Sequence, residues 1–191
     1  MNKIYTFVFR GLLADASLDK IGRKQKKLLR DLDISKLQEI LSFEKLEQDF
    51  LIDAQHMSIV YTAIHTFENM VRHLVGSVMQ ERFGEKWWNK VPSRIQKRVK
   101  LRISEETKFR IYEPRGATEI HYADFADLSS IIANNTEIFE EILGDITWAK
   151  VTLDLLGKSR NIIMHSGVLD KRDIERIGWC IRDWIKQTGW V

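Results

Sequence analysis

Cysteine, proline and long apolar runs are what this chain has least of. Cys180 is its only cysteine, so no intrachain disulfide can form and nothing points to an oxidising compartment. Two prolines and ten glycines punctuate 191 residues, which favours long unbroken elements. No apolar run reaches the roughly 18 residues that a membrane-spanning helix needs, so no membrane partner is expected. Lys3, the apolar Ile4–Phe9 and Ala14-Asp15-Ala16 have the outline of a signal peptide, but Arg10 and Gly11 break the apolar stretch. The expectation is a soluble, cytoplasmic protein. Its residues 1–52 are expected to form a helical extension packed on a body, 53–191.

Signatures of common chemistries are also missing. His56, His65, His73 and His121 show no ligand spacing, and there is no His-Glu-x-x-His. No phosphate-cradling glycine loop and no Gly-x-Ser-x-Gly elbow occur. No metal and no cofactor are expected. Cys180 lies beside an apolar stripe and reads as core. The six tryptophans read as packing anchors, any exposed one being able to stack a base.

What is present is charge of both signs and helical periodicity. Thirty basic residues against 27 acidic ones give a net charge of +3, too little alone to imply nucleic acid. The distribution says more. Lys20, Arg23, Lys24, Lys26, Lys27 and Arg30 crowd one stretch; Arg94, Lys97, Arg98, Lys100 and Arg102 crowd another. Each is either a solvated face or a surface that gains by displacing counterions from a polyanion.

Hydrophobic residues are 44% of the chain, ample for a core. Asp33 or Ser35 starts a short helix through Leu41. Met57, Val60, Tyr61, Ile64, Phe67, Val71, Leu74, Val75 and Val78 predict a helix over 54–82, stopped at Gly84. Another begins with Pro92 in its first turn. Around Pro114-Arg115-Gly116 the pattern alternates, which predicts a small β-hairpin or irregular loop near 108–122. Asp124-Phe125-Ala126-Asp127 resembles a capping box opening a helix to about Ala133. A short helix follows near Glu137–Leu143. Thr147 caps the next, which runs to Ser166 and ends at Gly167. The last starts after Asp170 and carries Ile174, Ile177, Ile181, Trp184 and Ile185 on one face. The fold class is all-α, a helical bundle with one non-helical insertion.

Two polar residues fall where apolar ones belong. The 147–166 stripe reads Ala149, Leu153, Leu156, Arg160, Ile163, so Arg160 projects from the core side. An unpaired guanidinium there is costly and needs an acid, a phosphate or water. In the 54–82 helix, Ile64, Glu68, Val71 and Val75 fall in line, with Arg72 one turn after Glu68 and Asn69 beside it. Either Glu68, Asn69 and Arg160 form a buried cluster across two helices, or Arg160 snorkels outward and Glu68 sits at the stripe's edge. His165 lies five residues after Arg160, about 140° round the helix, on the side of Asn161, Lys158 and Asp154. In the last turn it meets the negative end of the helix dipole, where a cation is favoured. It is either a helix cap or an acid–base group.

Ser159-Arg160-Asn161-Ile162-Ile163-Met164-His165 resembles the signature of the HEPN superfamily, an Arg and a His with four to six residues between them, the first often polar. Phe67–Arg72, Phe83-Gly84, Trp87-Trp88, Val91-Pro92, Tyr122–Leu128 and Arg182–Ile185 are similar to one HEPN subtype, found at the end of a yeast nuclear transcript-surveillance endonuclease and as free-standing bacterial proteins. The similarity covers about Asp53 to Trp190. It implies an up-and-down helical bundle, a homodimer with paired motifs across a cleft, and metal-independent endoribonuclease activity, often in toxin or antiphage roles. By the resemblance, Arg160, Asn161 and His165 are catalytic and Glu68 is the supporting acid, with Asn69 and Arg72 beside it. Lys24, Lys26, Lys27, Arg94, Lys97 and Arg98 are candidate RNA contacts. HEPN toxins silenced by nucleotidylation carry a Tyr two residues after the His, where this chain has Gly167. The alternative is a non-catalytic dimeric module for RNA, nucleotide or a regulatory protein.

Overall fold

The structure is a computed structural model that describes residues 33–108 and 114–189. Lys24, Lys26 and Lys27 lie outside the described residues, as do Trp190 and all of the expected extension before residue 33. The chain divides into two compact units, Met1–Phe50 and Leu51–Val191. In the first, α1 (Ile34–Ile40) and a 3-10 turn (Phe43–Lys45) are described, and neither buries a residue.

The fold is an all-α helical bundle, and no strand occurs among the described residues. After α1 come α2 (Gln48–Phe83), α3 (Ser93–Lys108), α4 (Phe125–Ala133), α5 (Thr136–Leu143), α6 (Ile146–Met164) and α7 (Lys171–Thr188). None of the helices described is long and apolar enough to cross a membrane. α2 starts six residues earlier than expected and ends before Gly84, whose φ is +71°. Its inner stripe follows the expected one except at Tyr61, which is half-buried: Met57, Val60, Ile64, Phe67, Val71, Leu74, Val75 and Val78 are buried.

α6 is the central element and packs against α4, α5 and α7. It runs antiparallel to α2. Glu68 faces Arg160, and earlier on α2 the Met57 sulfur accepts from the Leu169 amide beyond the end of α6, at 3.3 Å. Phe67 of α2 joins the layers. It stacks on Phe125 of α4 and meets Trp184 of α7 edge-on, with centroids 6.3 and 5.5 Å away. Trp148 of α6 stacks on Trp184 from the other side.

The caps correct one expectation. Asp145, not Thr147, caps α6, with its carboxylate accepting from the Thr147 and Trp148 amides. An aspartate two residues earlier satisfies the free N–H groups with a full charge at the positive helix end. The capping box at Asp124 and Asp127 is present with both reciprocal bonds, and Asp170 caps α7. On α7, Ile177 and Trp184 are buried, while Ile174 is exposed.

The expected hairpin falls partly on 109–113, outside the described residues. The rest, 114–122, is a bend followed by a 3-10 turn, Glu119–Tyr122. The alternation is real in burial: Ile120 and Tyr122 are buried, Glu119 and His121 exposed. No partner strand is needed because arginines take the carbonyls, Arg102 that of Tyr122 at 2.7 Å and Arg72 that of Ala123 at 3.0 Å.

Candidate functional site

The site is built outward from Glu68, whose side chain is 2% exposed. It sits on the inner stripe of α2 because Ile64, one turn before, and Val71 and Val75 after it are fully buried. A carboxylate there must be paired. Arg72, one turn on, donates to its Oε1. From α6, Arg160 stands with Nε 3.5 Å from Oε2. Two guanidiniums share one carboxylate, so the cluster carries an excess positive charge.

The two arginines differ. Arg72 is spent on protein groups: its Nε binds the Ala123 carbonyl and another nitrogen binds Asn69 Oδ1 at 2.8 Å. Burial lowers its pKa below the usual guanidinium range; Glu68 opposes that shift and neighbouring Arg160 adds to it. Arg160 keeps 31% of its side chain exposed. It opens on a cleft of about 220 Å³ between α6 and the start of α4. Phe125, Leu153 and Gly157 line its apolar part, and Asp154, Lys158 and Asn161 join Arg160 among its polar groups.

Both alternatives for the cluster are thus partly realised. Glu68, Arg72 and Arg160 come together, while Arg160 also reaches water. Asn69 is exposed and enters only through Arg72; its amide nitrogen donates to the His65 carbonyl at 3.1 Å. Asn161 is exposed in the cleft. His165 is the C-cap residue of α6 and is exposed, but it does not line the cleft. Its ring has no hydrogen-bond partner among the described residues. The turn after it is tight: the Gly167 amide reaches the Ile162 carbonyl at 2.8 Å. A Cβ on Gly167 would lie 2.5 Å from the Ile162 side chain, so no larger residue fits without moving the backbone beside His165.

Of the described basic candidates, Arg94 and Lys97 are exposed on α3. Arg98 is not a free surface cation, because its guanidinium donates to Asp127. Asp127 is fully buried and also accepts from Arg102 at 2.5 Å. Arg102 reaches Asp124 as well, at 2.5 Å. Desolvation works against the Arg102 charge, but the Asp127 hydrogen bond and the charges of Asp124 and Asp127 outweigh it and raise its pKa. Burial opposes the Asp124 charge too, yet the Asp127 amide and Arg102 hold its carboxyl below the usual range.

This second network was not read from the sequence, although the signal is there. Ile95 and Val99 are buried on α3, and Arg102 continues their stripe as Arg160 continues that of α6. Through it the 122–124 segment is gripped from two helices, by Arg72 of α2 and Arg102 of α3. Among the described residues, no three His, Cys, Asp or Glu side chains stand close enough to hold a metal ion. Neither a family model nor a curated protein nor a solved structure matches this chain.

Proposed function

We propose that this chain is a metal-independent endoribonuclease of the HEPN type, acting as a homodimer. The observation that carries the reading is Arg160: it is open to the cleft, yet anchored on a buried carboxylate that it shares with Arg72, so that the cluster has a guanidinium to spare. Such a fixed cation suits the negative charge that builds on a phosphorane. In the reaction, one His165 removes the ribose 2′-hydroxyl proton and the 2′-oxygen attacks phosphorus. The 5′-oxygen leaves and takes a proton from the second subunit's His165. The products are a 2′,3′-cyclic phosphate and a 5′-hydroxyl. Asn161 orients the phosphate or the imidazole.

Support for a second copy comes from around His165. Ile162, Met164 and Val168, within three residues of it in the chain, are exposed, apolar side chains of the kind that an interaction surface covers. A two-fold pairing through them would set two His165 side chains close together. The test is a subunit mixture: a wild-type chain paired with His165→Ala should be strongly impaired in RNA cleavage. Half the wild-type rate would mean independent sites and would end the composite mechanism.

One observation favours a second reading. His165 does not line the cleft, which suits a dimeric module that binds RNA, nucleotide or a protein without cutting. Binding of RNA with no cleavage product would select it.

A further inference from the structure

The cleft beside Arg160 has a part the phosphate does not need. At about 220 Å³ it is smaller than the roughly 300–1,000 Å³ pockets that hold drug-sized ligands. Its wall is apolar, from Phe125, Leu153 and Gly157. Gly157 lets α6 close on α4: a Cβ there would stand 3.2 Å from Phe125 Cβ. At the polar side stand Lys158 and Arg160, and with them Asp154. Asp154 is exposed and has no hydrogen-bond or ion-pair partner among the described residues. The other carboxylate at the cleft, Asp124, is already taken by Arg102 and the Asp127 amide.

A small apolar slot, with cations and one uncommitted carboxylate at its edge, suits a flat ring tied to a phosphate. We infer that this cleft receives a nucleobase, and that Asp154 selects one carrying an exocyclic amino group, cytosine over uracil. The inference rests on the reading of Arg160 as a phosphate-binding residue. An aspartate accepts from the cytosine 4-amino group. Uracil presents an oxygen at the same place, which a carboxylate repels. Cytosine and uracil differ otherwise only at the adjoining ring nitrogen, so the pair isolates this contact.

The experiment is calorimetric binding of CMP and UMP to the full chain, wild type and Asp154→Asn. Asp154 is exposed and unpaired, so the substitution should leave the fold intact, which circular dichroism checks. CMP should bind the wild type about tenfold more tightly than UMP, the scale of one well-placed base contact. Asp154→Asn should erase the difference, because an amide can donate to the uracil oxygen. Equal affinities in the wild type, an undiminished preference in Asp154→Asn, or binding of neither nucleotide would overturn the inference. RNA cleavage is a separate readout. A chain that prefers CMP as described but cuts no RNA upholds the base pocket and removes the ribonuclease. One that cuts RNA but shows no CMP preference removes the base pocket alone.

Discussion

Glu68 of α2 and Arg160 of α6 meet across the bundle, Nε to Oε2 at 3.5 Å, with the carboxylate buried and the guanidinium half open to water. The same carboxylate holds Arg72 from below. Glu68→Gln strands the buried Arg72 charge and should destabilise the fold by about 3–5 kcal/mol, the cost of breaking a buried pair. Urea unfolding measures it. Arg160→Ala should cost less, because its charge already reaches water, and should act mainly on RNA. An unchanged unfolding midpoint in Glu68→Gln would show that the pair contributes nothing.

Asp124 provides a pH test. Its folded pKa lies below the unfolded value of about 3.9, so its charge stabilises the fold fully above that pH. The contribution is lost as pH falls through the folded value. Asp124→Asn retains a capping oxygen but loses the attraction of Arg102. The variant should be less stable than wild type at pH 7, and the gap should close as pH falls below about 4. Thermal unfolding across that range checks it; a gap independent of pH contradicts the assignment.

On α3, neighbouring arginines should behave differently. Arg94 and Lys97 are exposed, so replacing both with Gln should weaken RNA binding without changing stability. Each lost phosphate contact should reduce the salt slope by about 0.7 for a single strand. Arg98→Gln should instead lower stability, since Arg98 pairs with the buried Asp127. Fluorescence anisotropy at several salt concentrations, with a melt of each variant, separates the two effects. Equal salt slopes for wild type and the double variant would remove Arg94 and Lys97 from the footprint.

Much of the bundle is legible in the sequence because its signals are local. Helical spacing in α2 and α6 marks both the buried stripes and the two residues that break them, Glu68 and Arg160. The capping box at Asp124 needs only four adjacent residues. What is not legible is which partner a charge finds at long range. Arg98 reads as part of a basic cluster, and only the packing of α3 on the start of α4, 29 residues on, turns it inward. The Phe109–Tyr122 alternation predicts in and out for Ile120 and Tyr122, but not that arginine side chains, instead of a second strand, satisfy the 122–123 carbonyls. His165 was legible as sharing a side with Asn161, Lys158 and Asp154, which do line the cleft, but not as lying outside it: it is the C-cap residue, a turn beyond Asn161, where the cleft's lining ends.

The most direct test of the account is incubation of single-stranded RNA with the full chain in excess chelator, followed by mass analysis of the product ends. The account predicts cleavage that leaves 2′,3′-cyclic phosphate and 5′-hydroxyl ends, lost in Arg160→Ala and in His165→Ala proteins that remain folded. No cleavage by the wild type, or the same products from folded His165→Ala, would contradict it.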